Sequence, residues 1–351
     1  MKSQPVSTQI IQLNGLRGIA ILLVLFVHLF GHGLLRNILY FGWSGVDLFF
    51  VLSGFLITGI LIDTKQHKNY FKFFWIKRIL RIFPLYYGVL IVFAFISPHF
   101  PVTAWFGKYQ LYFWTYTSNY LILTNGFFHP LGHFWSLATE EQFYVFWPFL
   151  VRFISPKQLL AIAVLFIFAG ILIRHFSTDV LITFGLPLAR LDGLMIGSIV
   201  AVLIRQNKAL LFRYINLLFA ALLFIIAAYI AGYLLIYGIR EQSLFVRLPF
   251  TFTLIAMFFG CVLVMSLKHA WLKEILSNPL LLFFGKYSYG MYVFNSIFFH
   301  FSNWGGADRL PVEQRLVVYL GVFMLTVIVS YLSYNLFEIR FLRLKRHLYV
   351  S

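Results

Sequence analysis

The feature that most constrains this chain is the recurrence of apolar stretches about 20 residues long, each long enough to cross a hydrocarbon layer as a helix. On that length we place helices at 13–31, 45–62, 79–97, 134–153, 158–176, 184–204, 214–238, 248–267, 280–301 and 316–338. Composition agrees, since 61% of the residues are hydrophobic and only 11% charged, where soluble domains carry about 25%. The sequence therefore predicts an all-α polytopic membrane protein of about ten transmembrane helices, with residues 1–351 forming one membrane domain. Lys2 and the apolar run after it look like a secretory signal, but no small-residue cleavage site follows and Arg17 interrupts the run. It is read as an uncleaved first helix.

Charge sets the expected orientation. With both termini in the cytoplasm, 20 of the 28 Lys and Arg residues fall in inner segments, as the positive-inside rule requires. The stretch 105–128 is rich in Tyr and Trp and bracketed by Pro98, Pro101, Pro130 and Gly132. Were it to cross, the 12 basic residues from Arg152 onward would change sides; an interfacial or re-entrant segment is preferred. The net charge of +17 is spread over many short loops, which fits anionic lipid and excludes a nucleic-acid face. A single Cys261 permits no intramolecular disulfide and reads as a core residue.

Against this background the informative residues are polar ones where lipid is expected, because an intramembrane charge is costly. Arg17 and His28 are eleven residues apart, so they share a helix face about 16 Å apart along the axis. A snorkelling arginine with a buried core histidine is the alternative. Asp47 opens the second span on the side of His28, either to orient that imidazole or to cap its helix. Ser53 and Gly54 read as packing residues. Arg78 and Arg81, three apart in a basic loop with Lys77, form either a phosphate clamp or a stop-transfer cluster. Glu140 and Glu141 enter the fourth span after Trp135 and Ser136 and need partners, which Arg190 and Asp192 could supply, a purely structural ion pair being the alternative. His129 and His133 flank Pro130 and Gly132, which argues against a helical metal face, and no metal is expected. There is no Walker loop, dinucleotide fingerprint or nucleophile elbow.

Taken in order, these pieces resemble the acyltransferase 3 family of integral membrane acyltransferases. The match is carried by Arg17 with ten residues before His28, the Gly45-Val-Asp-Leu-Phe-Phe-Val-Leu-Ser-Gly-Phe55 run, Arg78-Ile-Leu-Arg-Ile-Phe-Pro84, Trp135-Ser-Leu-Ala-Thr-Glu-Glu-Gln-Phe-Tyr144, Arg190-Leu-Asp-Gly193 and Tyr287-Ser-Tyr-Gly-Met-Tyr292. The resemblance implies transfer of a short acyl group, commonly acetyl, from cytoplasmic acyl-CoA to a hydroxyl of a glycan or lipid-linked sugar, in a bacterial inner membrane. It makes His28 the candidate base, with Arg17, Asp47 and Glu141 beside it. Lys77, Arg78 and Arg81 become candidate CoA ligands, and Trp135, Ser136, Glu140, Arg190 and Asp192 candidate substrate ligands. A transient acyl-enzyme on Ser136 is a less favoured variant.

Two positions depart from the family pattern. Asn295 stands where relatives often carry a histidine, and Phe337-Glu-Ile-Arg340 replaces a common Glu-x-Pro. A transporter or flippase, with interior charges serving cargo, is the competing class. An acyl-CoA enzyme modifying a small molecule is a third reading.

Overall fold

A computed structural model describes residues 10–30, 40–100, 103–126, 130–177, 179–237 and 248–344. Lys2, His129, Lys345, Arg346 and both chain ends lie outside these residues. The described chain has no strand. Its main helices are α1 (Ile11–Phe30), α2 (Gly45–Asp63), α3 (Tyr70–Ile96), α4 (Trp105–Trp114), α5 (Ser118–Asn125), α6 (Phe134–Phe153) and α7 (Pro156–Phe176). There follow α8 (Val180–Gly185), α9 (Asp192–Tyr237), α10 (Thr251–Lys268), α11 (Ala270–Leu276), α12 (Pro279–Trp304), α13 (Val312–Ser333) and α14 (Ile339–Leu344).

Seven helices are long and apolar enough to cross a membrane, and large apolar side chains such as Phe95, Phe176 and Leu235 point outward from them. A bundle with an oily exterior is a multi-pass membrane protein. α9 counts once among the seven although Asn207, at φ −154° and ψ 74°, breaks it into two. α6 and α12 are equally long but carry polar side chains. With them, all ten predicted segments are helical.

Boundaries differ from expectation in three places. The predicted span at 184–204 begins at Asp192, because Pro187 lacks the N–H a continuous helix needs and opens a 3-10 turn, Pro187–Arg190. α3 starts at Tyr70, so Arg78 and Arg81 stand on a helix rather than in a loop. The aromatic stretch forms two helices of 10 and 8 residues, about 15 and 12 Å long and each too short to cross alone. Between them Tyr116 holds a left-handed φ of 53°.

Glycines set how closely the bundle packs. A Cβ on Gly18 would overlap the carbonyl of Leu281, and one on Gly285 that of Asn14. Gly54, Gly193 and Gly197 bring α2 and α9 together in the same way. α1 meets α12 at Gly18 and Gly285, and further along His28 comes near His133, whose ring lies on Val293 and Tyr292; residue numbers therefore rise together and α1 runs parallel to α12.

Buried charges pair between helices. Arg174 of α7 reaches Asp192 of α9 at 2.8 and 3.0 Å and Thr253 of α10 at 3.0 Å. It also donates to the carbonyls of Ala189 and Pro249. Arg190 meets Asp47 at 3.1 Å and lies 3.7 Å over the Phe252 ring, a cation–π contact. This corrects the expectation that Arg190 and Asp192 neutralise Glu140 and Glu141. Those two residues fall on the other side of Trp135 and Phe50, whose rings stand between them and the cavity described below.

Arg174→Met leaves the Asp192 carboxylate buried without its ion-pair partner, held among the described residues only by the Thr253 hydroxyl, and is expected to cost about 3–5 kcal/mol. Adding Asp192→Leu should return much of that loss, a cycle read from thermal unfolding midpoints of detergent-solubilised protein. Gly285→Val is expected to abolish monodisperse folded protein in size-exclusion chromatography, because neither the α1 backbone nor the new side chain can move away.

Candidate functional site

Five helices present regularly spaced residues to one interior cavity. α3 gives Arg78, Arg81 and Ile82, α2 gives Val46, Phe49, Phe50 and Ser53, and α1 gives Arg17. From α6 come Ser136, Leu137, Glu140, Glu141 and Tyr144, and from α12 Ser288, Tyr289 and Tyr292. Offsets of three and four residues are the helix repeat, so each helix turns one face inward. The cavity holds about 90 Å³, space for several water molecules.

Its floor is cationic, with three guanidiniums from two helices. Arg78, Arg81 and Glu140 all act electrostatically on Arg17. The Arg78 guanidinium lies 4.4 Å over the Tyr144 ring, and Ser53 and Tyr144 stand beside Glu140 at the same cavity. Glu141 Oε1 is buried without a hydrogen-bond partner among the described residues. Such a floor attracts an anion carrying hydrogen-bond acceptors, and Arg–phosphate pairing is the matching chemistry.

Backbone chemistry fixes the walls. Pro148 has no N–H to give the Tyr144 carbonyl one turn back; Trp75 Nε1 donates to that oxygen at 3.1 Å. The Tyr289 hydroxyl donates to the Ile82 carbonyl at 2.8 Å, tying α12 to α3. At the far end the Tyr292 and Ser136 hydroxyls are 2.5 Å apart, and the Tyr292 ring lies edge-on to Phe49 and His133.

His28 is half-buried, on the α1 face that carries Arg17 and about 16 Å further along. It is not among the cavity-lining residues, but it is near enough to His133 for their charges to interact, and His133 packs on Tyr292. His28 Nδ1 sits 2.8 Å from the Val24 carbonyl. That oxygen only accepts, so Nδ1 carries a proton, and in the neutral imidazole Nε2 is then the accepting nitrogen.

The cavity thus gathers Arg17, Arg78, Arg81, Ser136, Glu140 and Glu141 from the predicted set. Asp47, Trp135, Arg190 and Asp192 stand together behind its Phe50 wall. Asp47 is corrected as the carboxylate orienting His28: its Oδ1 is held by Arg190, Oδ2 has no partner among the described residues, and the Val24 carbonyl does the orienting. Lys77 is not among the cavity-lining residues, and its ammonium lies 5.8 Å from the centre of the Phe73 ring. Ser53, read as a packing residue, lines the cavity, while Gly54 does serve packing. Tyr144, Ser288, Tyr289 and Tyr292 lie within the quoted motifs but were given no role; their three- and four-residue offsets from Glu140 and from one another were the available signal. Asn295 is wholly buried, with neither side-chain polar atom bonded among the described residues. Among the described residues no cluster of three metal-ligating side chains occurs.

Comparison with known proteins gives the context for this arrangement. The chain is 29% identical over 363 residues to a Staphylococcus aureus (strain COL) protein carrying the name "Putative O-acetyltransferase", covering 94% of this chain and 56% of that protein. It is 35% identical over 176 residues to the peptidoglycan O-acetyltransferase OatA of Listeria monocytogenes, covering 43% of this chain and 26% of OatA. An uncharacterized Haemophilus influenzae protein is 33% identical over 202 residues, 50% of this chain and 82% of that one. The chain therefore spans about half the length of the staphylococcal relative. No solved structure matches it. The family profile described as "Acyltransferase domain" matches residues 10–335, from the start of α1 to just past α13, and this chain belongs to that acyltransferase family.

Proposed function

We propose that this chain is an integral membrane O-acyltransferase that moves a short acyl group, acetyl first among them, from acyl-CoA to a hydroxyl of a cell-envelope glycan. The observation that carries the reading is the single cavity with Arg17, Arg78 and Arg81 at one end and hydroxyls beneath His28 at the other. The basic inner segments support a cytoplasmic donor side and cytoplasmic chain termini, in a bacterial inner membrane. Arg78 and Arg81 hold the donor's phosphates at the mouth. A cavity of about 90 Å³ takes the slender thioester arm, with some parting of its walls, and leaves the nucleotide outside.

His28 acts as general base through Nε2, taking the proton of the acceptor hydroxyl as its oxygen attacks the thioester carbon. Glu140 and Glu141 balance the three guanidiniums and keep them from repelling one another. Arg190, Asp192, Asp47 and Trp135 shape the wall nearest the acceptor side. The name of OatA makes peptidoglycan the acceptor to test first. Among the described residues the cavity's polar lining ends at Ser136 and Tyr292, an arrangement that supports transfer over transport.

His28→Ala is expected to lower the rate of acyl-ester formation on envelope glycan by about 10²–10⁴-fold while leaving acetyl-CoA binding intact; mass spectrometry of glycan from expressing cells reads the first and equilibrium binding the second. Full ester formation in that variant would remove the base. Arg78→Ala or Arg81→Ala each removes about 1.5–3 kcal/mol of charge-assisted bonding, so acetyl-CoA affinity should fall by roughly tenfold or more, with a shallower salt dependence.

A further inference from the structure

The outer end of the cavity holds a hydroxyl that the reading above leaves without a task. Tyr292 Oη lies 3.1 Å from the His133 carbonyl oxygen and 2.5 Å from Ser136 Oγ. The same carbonyl receives Ser136 Oγ at 3.2 Å and the Ser136 backbone N–H at 3.3 Å. Three donors thus converge on an oxygen with two lone pairs. Tyr292 can turn its proton to a ligand and leave that carbonyl satisfied. Its ring is already fixed, with centroids 6.2 Å from Phe49 and 5.4 Å from His133, both edge-on.

Height along the bundle places this hydroxyl against His28. α1 and α12 run parallel and touch at Gly18 and Gly285. Tyr292 is seven residues past that crossing and His28 ten, about 10 and 15 Å along. A group at the cavity's outer end therefore has the Tyr292 hydroxyl on one side and the imidazole one turn beyond.

We propose that Tyr292 is a catalytic residue whose O–H donates to the thioester carbonyl oxygen and stabilises the oxyanion formed there. This rests on the acyl-CoA reading. The acceptor oxygen bonds to the carbonyl carbon and gives its proton to His28 Nε2. The carbonyl π electrons move onto oxygen, which Tyr292 holds with Ser136 beside it. Collapse re-forms the carbonyl and breaks the carbon–sulfur bond, and the CoA thiolate takes the proton from the imidazolium. A donor fixed before the reaction in a water-poor cavity requires no reorganisation, which is why losing one such donor costs 10²–10³-fold in other acyl-transfer sites.

Tyr292→Phe removes one oxygen and keeps the ring packing. Three quantities are read on the full chain: the initial rate of ester formation on envelope glycan per unit of folded protein in expressing cells, acetyl-CoA binding to protein in nanodiscs, and the thermal midpoint. The expected result is a rate loss of about 10²–10³-fold, with binding within about threefold and an unchanged midpoint. An unchanged rate overturns the proposal. So does a rate that falls only in step with the midpoint, which is a packing role, or faster hydrolysis of acetyl-CoA with normal ester formation, which is a gate. If wild-type protein neither binds acetyl-CoA nor adds ester, the acyl-CoA reading itself fails and takes this one with it; wild-type activity with a normal Tyr292→Phe rate sinks the tyrosine alone.

Discussion

Three guanidiniums facing one small space inside an apolar bundle is the constraint around which the rest is arranged. Like charges gathered round one cavity repel, and Arg78, half-buried, and Arg81, partly open to solvent, both turn to it from α3. The answer lies on α6, which turns Glu140 and Glu141 to the same cavity and adds the Tyr144 ring beneath Arg78. Glu140 forms an ion pair with none of these arginines among the described residues, so the carboxylate compensates charge without closing onto one of them. The positive floor stays available to an incoming anion.

Close packing makes this arrangement possible. Arg17 can look across at α3 and α6 only because α1 is pressed against α12 at Gly18 and Gly285, where backbones touch. The second glycine seam, between α2 and α9, fixes the Asp47–Arg190 pair and with it the wall of Phe50 and Trp135. Dispersion contacts at such seams, rather than hydrophobic driving force, hold helices together in lipid.

Much of this was legible in the sequence, and the reasons are specific. Span length and the scarcity of charge identified the helices; eleven-residue spacing put Arg17 and His28 on one face; the three-residue offset of Arg78 and Arg81 did the same for the clamp. What stayed hidden was partner choice. A sequence shows that buried carboxylates and guanidiniums must pair, but not which, and Arg190 pairs with Asp47 and Arg174 with Asp192 because of how α2, α7 and α9 cross. Arg174 was never singled out, lying near the end of an ordinary apolar span. The role given to Asp47 passed to a backbone carbonyl, which side-chain spacing cannot reveal. Uncharged cavity residues such as Tyr292 and Ser288 look like ordinary helix interior until their neighbours are known.

The indole of Trp75 on the Tyr144 carbonyl has a mechanical consequence. Trp75 is one turn before Arg78, and Tyr144 one turn after Glu141, so the bond rivets the two helices next to the groups that matter. α3 and α6 must then travel as one plate, cation and carboxylates together. Whatever loosening admits a bulky molecule has to happen along a different seam from the one these two helices share.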